Sequence, residues 1–195
     1  MRETSKLAEY RKVVGHDQLY LKGEGIDIGC GADPLVTEYG SVVKWDMQDG
    51  DAMLMESVRD DVFDFVYSSH CLEHVVDVAE TLRNWVRIVK PGGFLYVVVP
   101  DWILYEKETW PSMFNSDHKH TFSGEVSRET VGRENHWRIE DDVRDVLESV
   151  GAELVEVELQ DNNYRYDWPA SVDQTMGNAT AQVLFVAKKN EVTNG

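Results

Sequence analysis

The segment Ile26-Asp27-Ile28-Gly29-Cys30-Gly31-Ala32-Asp33-Pro34 constrains the chain most. A short β-prone run enters a turn with two glycines one residue apart. Such a turn bends sharply and lets backbone N–H groups approach a ligand at the carboxyl end of a strand. Asp33 suits a helix N-cap and Pro34 the first helical position, so a helix is expected next. It has to be short, because Gly40 and the β-prone Ser41-Val42-Val43-Lys44-Trp45 follow within a few residues.

The alternation of strand and helix continues along the chain. Val62 to Tyr67 and Gly93 to Val99 read as buried strands. Between them Leu72, Val75, Val76, Ala79, Leu82, Val86 and Val89 recur at intervals of three and four, which predicts an amphipathic helix. Lys90-Pro91-Gly92-Gly93 ends that helix. A later helix is expected from Ile139 to Val150, with Glu140, Asp141 and Asp142 favouring its N-terminal dipole and Gly151 stopping it. Leu154 to Leu159 and Gln182 to Ala187 complete the strands, and Leu7, Tyr10 and Val14 predict a short leading helix. Strands alternating with helices imply an α/β fold with a doubly wound sheet, here one domain over residues 1–195. Residues 101–137 interrupt the pattern. They are aromatic-rich and aperiodic, and they follow a strand end, where a substrate cap would sit.

Composition narrows the ligand. The formal charge is −17 and no Lys/Arg cluster breaks it, which argues against nucleic acid and anionic membranes as partners. A small neutral or cationic molecule suits it better. No apolar run approaches the roughly 18 residues of a membrane span, and no signal-type stretch follows Met1, so a cytoplasmic location is expected. Cys30 and Cys71 form no Cys-x-x-Cys pair and carry no zinc or redox signature.

Asp46 lies 19 residues after Asp27, the range at which an acid accepts hydrogen bonds from ribose hydroxyls. A nicotinamide cofactor would need a third glycine where Pro34 stands, and Asp33 would repel its pyrophosphate. S-Adenosylmethionine has no phosphate, and its cationic sulfonium and amino groups match Asp27, Asp46 and Asp51.

From Gly25 to Asp101 the chain resembles the class I S-adenosylmethionine-dependent methyltransferases, especially the compact type 11 group. The resemblance is carried by Ile26 to Gly31, Asp46, Gly50-Asp51-Ala52, Phe63 to Ser68, Leu72-Glu73-His74-Val75 and Val89 to Gly93. It implies a Rossmann-like, mostly parallel sheet with an antiparallel last strand. It also implies that Asp27 and the backbone of Gly29, Cys30 and Gly31 cradle the methionine end. Asp46, with Met47 beside it, would bind the ribose. Asp51 and Ala52 would meet the adenine, and Ser68 or Ser69 would border the methionine moiety and the acceptor. The chain departs from the family at Ala32, where a third glycine is usual, and in the strand between Asp46 and Asp51, which is compressed or missing. Asp49 is therefore an alternative to Asp51.

On the acceptor side, Ser68-Ser69-His70-Cys71 stands where amide and nucleobase methyltransferases of this fold carry Asn/Asp-Pro-Pro-aromatic. His70, at a strand end, is one candidate general base, and His74 follows the family's Glu-His pattern at a helix start. Asp117, His118 and His120 form a second group, in which Asp117 could orient a histidine base. The two histidines could alternatively hold a divalent ion, but no metal site is assigned. Trp102, Tyr105, Trp110 and Phe114 are candidate substrate contacts or the cap's own core, with Tyr164, Tyr166 and Trp168 as a second wall. The expected function is methyl transfer to a small-molecule hydroxyl, on a sugar or natural product, by a protein that could pair as a homodimer. The alternatives are an amine N-methyltransferase, a non-catalytic S-adenosylmethionine binder and an NAD-dependent oxidoreductase.

Overall fold

The computed structural model describes residues 2–191. Three short helices, α1 (Glu3–Lys6), α2 (Ala8–Val14) and α3 (His16–Leu19), precede β1 (Gly23–Ile28) and β2 (Gly40–Trp45). Then come β3 (Phe63–Ser69), α4 (Val78–Ile88) and β4 (Val89–Pro100). The cap contributes β5 (Thr121–Ser123), α5 (Arg128–Val131) and β6 (His136–Arg138). α6 (Arg144–Ser149), β7 (Ala152–Gln160) and β8 (Gln182–Lys189) close the chain.

Six strands form one sheet in the order β2-β1-β3-β4-β8-β7. The first four are parallel, and β8 runs antiparallel to both β4 and β7. This is the mostly parallel, doubly wound sheet with an antiparallel last strand expected above. The period-two alternation of the strands builds two cores. Ile26, Ile28, Val66, Leu95, Val97, Val99 and Phe185 point to the face covered by α4 and α6. Phe65, Tyr67, Tyr96, Val98, Leu184 and Val186 point to the other face, where Leu7, Leu21 and Leu35 cover them.

Three local expectations need correction. No helix follows the glycine turn, because residues 34–37 are irregular. Only six residues separate Asp33 from β2, and Leu35 is drawn into the second core. Asp33 accepts from the backbone N–H of Ser5 (2.9 Å) instead of capping a helix. The central helix starts at Val78, because the Asp77 side chain accepts from Glu80 N (2.9 Å) and sets the cap there. Residues Leu72–His74 form a separate 3₁₀ turn. Finally, Lys90-Pro91-Gly92-Gly93 does not stop the helix, which has already ended at Ile88. It forms an irregularity inside β4, between the pairs Phe63–Val89 and Phe65–Phe94. The later helix begins as a π turn at Ile139–Val143.

Residues 46–62 contain no strand, as the compressed spacing predicts. α4 holds them by side chains. Trp85 Nε1 donates to Ala52 O (2.8 Å), and the Arg87 guanidinium donates to Val58 O (2.8 Å) and Met55 O (3.0 Å). Among the described residues, no helix is long and apolar enough to cross a membrane.

Candidate functional site

Two neighbouring features occupy the carboxyl ends of β1, β2 and β3. The first is a cleft of about 440 Å³ lined by Gly29, Asp46, Met47, Gly50, Asp51, Ala52 and Cys71. Gly29 has φ +76°, and a Cβ on it would stand 2.6 Å from Cys71 Cβ. Beside Gly31 a Cβ would meet nothing within 4 Å, so the backbone there is open to a ligand. Asp46 Oδ1 accepts from Met47 N (2.8 Å) and Asp51 Oδ1 from Met53 N (2.7 Å), which fixes both carboxylates at the rim. No lysine or arginine lines the cleft. The volume falls in the small-molecule range of about 300–1,000 Å³. Acids without cations, a bare glycine backbone and the apolar Met47 and Ala52 fit the phosphate-free, cationic S-adenosylmethionine.

The expected cofactor residues separate into two groups. Gly29, Asp46, Met47, Asp51 and Ala52 line the cleft. Asp27 is buried behind the turn, where its carboxylate accepts from Leu35 N (2.6 Å). Burial, with smaller contributions from Asp33 and Asp46, pushes its pKa up to about 7 against the hydrogen bond from Leu35 and the charge of Arg11. Ser68 is buried and donates to Ile28 O (2.9 Å), a contact between strands. Ser69 Oγ is buried without a partner. Cys30 is half-buried, with its thiol pKa raised by burial and by Asp27 and Asp46. Asp49 accepts from Asp46 N (2.9 Å) and shapes the rim from outside the lining. Cys71, which does line the cleft, was readable only as the residue beyond the strand end.

The second feature is a buried histidine–carboxylate cluster centred on Glu73. His70 Nδ1, His74 Nε2 and His118 Nε2 stand 3.6, 3.7 and 3.9 Å from Glu73 Oε1. Each histidine commits its other nitrogen. His118 Nδ1 donates to Glu106 Oε1 (2.6 Å), His70 Nε2 to Gln182 Oε1 (2.7 Å) and His74 Nδ1 to the carbonyl of Asp117 (3.2 Å). A carbonyl or carboxylate only accepts, so in the neutral imidazoles these nitrogens carry the protons and the nitrogens facing Glu73 carry the lone pairs. Glu73 is fully buried, and apart from its own backbone N–H no donor reaches either of its oxygens. Burial, reinforced by Glu106, raises its pKa to about 8. Burial lowers His70 to about 4 and also lowers His74 and His120.

The local sequence builds this cluster. His70 sits just past β3 at φ +55°, with its N–H bonded to Val98 O (2.9 Å). The 3₁₀ turn presents Glu73 and His74 next. The cap is then clamped down, because Lys119 N and His120 N both donate to Glu73 O (2.8 and 3.1 Å).

The expected group Asp117, His118 and His120 is divided by this clamp. His118 is buried in the cluster. The Asp117 side chain is 87% exposed, and Glu106, not Asp117, orients His118. His120 packs edge-on against Trp137 and bonds Val76 O (3.3 Å) and Trp137 Nε1 (3.3 Å), outside the cluster. The cap aromatics largely pack the cap itself. Trp102 is buried edge-on to His136, Tyr105 is buried against Phe114, and Trp110 lies under the Arg133 guanidinium. Tyr105 also leans over His118, with its hydroxyl buried and unpartnered. Tyr164 donates to Leu104 O (3.0 Å), and Tyr166 borders a separate cleft beside Asp101. Glu106 and Gln182 carry no sequence signal. Glu73 carries a partial one, three residues after His70.

A family model described as a methyltransferase domain matches residues 3–157. No curated protein matches the chain by sequence. Among solved structures, an S-adenosylmethionine-dependent methyltransferase from Clostridium acetobutylicum ATCC 824 superposes with a TM-score of 0.60 at 11% identity, over 96% of this chain and 92% of that one. One from Methanosarcina mazei gives 0.53 at 17% identity, over 91% and 97%. At such identities the structural likeness concerns the fold, and the family rests on the sequence match.

Proposed function

The chain belongs to the methyltransferase-domain family, whose methyl donor is S-adenosylmethionine, and from that premise we propose that it methylates a hydroxyl group of a small molecule. One observation carries the choice of acceptor. Cys71 lines the cofactor cleft, while its sequence neighbours His70 and Glu73 belong to the histidine cluster. On this reading donor site and proton acceptor would stand side by side.

Gly29, Asp46, Met47, Asp51 and Ala52 would hold the cofactor, and its sulfonium supplies an activated methyl group. The enzyme has then to align an oxygen with that methyl and receive the hydroxyl proton. The cluster suits the second task. Its inward-facing nitrogens are unprotonated, its carboxylates are buried, and His74 is partly exposed toward an arriving acceptor. An already nucleophilic neutral amine would need no such base. Glu106 orients His118 much as an acid orients histidine in hydrolase triads.

The test is an acceptor screen read by release of S-adenosylhomocysteine, with sugars and phenols against amines. Turnover of hydroxyl acceptors, reduced at least about 100-fold in His118→Ala, supports the reading. Turnover confined to amines, or undiminished in that variant, replaces it. No turnover with any acceptor, while cofactor binding persists, favours a non-catalytic binder.

A further inference from the structure

We propose that Glu73, His74 and His118 bind a divalent first-row transition ion of the zinc class. Their ligand atoms all lie within 4.8 Å of one another, two of the three residues are buried, and His70 Nδ1 stands outside this set, 3.6 Å from Glu73 Oε1.

The separations are too long for hydrogen bonds, which fall near 2.7–3.2 Å. They lie close to the spacing of donors sharing one ion, since two atoms about 2.0–2.2 Å from a tetrahedral centre are roughly 3.4 Å apart. The proton inventory points the same way. Three imidazole nitrogens face a carboxyl group whose oxygens take no hydrogen bond from any other residue. With Gln182, Glu106 and the Asp117 carbonyl as acceptors, none of the neutral imidazoles has an N–H left for Glu73. A cation satisfies every group at once.

The outer contacts fit the same assignment. Metal-bound histidines ordinarily donate their second N–H to a carboxylate, a carbonyl or water, which fixes the ring. His118 does so to Glu106, His74 to the Asp117 carbonyl and His70 to the Gln182 amide oxygen. Imidazole nitrogens with one carboxylate favour zinc, iron, cobalt and their neighbours over magnesium and calcium, which take oxygen donors. His120 is not a ligand, because both its nitrogens are engaged elsewhere.

Ion binding does not depend on the proposed acceptor, but its role does. On that reading the ion takes over the part given to the free imidazoles: it lowers the pKa of an acceptor hydroxyl, and because the nitrogens facing Glu73 are then coordinated, the proton passes to solvent on the part-exposed His74 side.

Cobalt(II) provides the probe. Titrated into the full chain after chelator treatment, it should give visible d–d absorption saturating at one ion per chain, displaced by zinc. Glu73→Gln and His118→Ala should abolish the band. Glu106→Gln should weaken binding by about 10–100-fold, because it loosens a ligand without removing it. S-Adenosylhomocysteine binding in each variant reports whether the fold persists. No band in the wild type, or a band unchanged in folded Glu73→Gln and His118→Ala, overturns the site. Cobalt binding without turnover of any hydroxyl leaves the site standing and removes the acceptor reading. Hydroxyl methylation by a protein that binds neither cobalt nor zinc does the reverse.

Discussion

Gly29 and Cys71 meet without room for another carbon: a Cβ on Gly29 would lie 2.6 Å from Cys71 Cβ and 2.7 Å from its Sγ. Gly29 also has φ +76°. Gly29→Ala therefore combines a left-handed backbone with overpacking, at about 1–2 and 1–3 kcal/mol respectively. Urea unfolding should show that loss, and calorimetry should show S-adenosylhomocysteine binding abolished. Adding Cys71→Gly should recover the packing part and leave the backbone part. An unchanged urea midpoint in Gly29→Ala would mean that the 3₁₀ turn can retreat.

Asp46 lines the cleft with one oxygen held by Met47 N. A hydrogen bond to a charged group contributes about 1.5–3 kcal/mol. Asp46→Ala should therefore weaken S-adenosylhomocysteine roughly 10–100-fold in a calorimetric titration. Asp49→Ala, which removes only a rim contact, should cost less. Equal losses would shift the ribose contact away from Asp46.

Asp27 links stability to pH. Its folded pKa is raised to about 7, chiefly by burial, whereas an unfolded aspartate titrates near 3.9. Between these values the folded chain holds a proton that the unfolded chain has released, so stability falls as pH rises. The favourable contribution is complete below about 4 and gone above about 7. Asp27→Asn should flatten this decline in melting temperatures measured from pH 5 to 8. A slope identical to the wild type's would assign the dependence to other groups.

Arg11 and Asp17 form a buried ion pair at 2.9 Å under the second core, with the guanidinium also donating to Thr4 O (3.0 Å) and lying over Tyr67. Asp17→Ala strands a buried charge, a change that typically costs about 3–5 kcal/mol. Denaturant unfolding should show this with little sensitivity to salt, because buried pairs are weakly screened. Asp17→Asn keeps an acceptor and should lose less.

The six strands of the main sheet were legible because β-branched runs, most of them buried, leave few alternatives, and they were located to within a few residues; β5 and β6, three residues each in the aperiodic cap, carried no such signal. The helix after Asp33 was misread from capping chemistry alone. Pro34 and Asp33 suit a helix, but six residues before β2, with Leu35 drawn into the core, leave no length for one. The start of α4 was misread for the opposite reason. Leu72 and Val75 are buried at helical spacing, yet Asp77 sets the cap two residues after Val75. At the cleft, Asp46 is legible from its place just past β2, whereas Asp51 stands six residues beyond that strand in a segment without strands and is picked out by the family's order alone. The partner of His118 was not legible. Glu106 is twelve residues away in an aperiodic cap, and tertiary folding alone brings the two together.

The four-residue helix α1 joins distant parts of the chain. Ser5 N bonds Asp33 in the glycine turn, and Lys6 Nζ bonds the carbonyls of Thr175 and Ala179 in the loop before β8. Residues 3–6 thus act as a bolt across the ligand-binding end of the sheet. Because β8 runs antiparallel to β4, Lys189 lies at the opposite end. A label or surface tether attached beyond Lys189 would leave the bolt undisturbed, whereas one placed ahead of Glu3 would load it directly and be felt at the glycine turn.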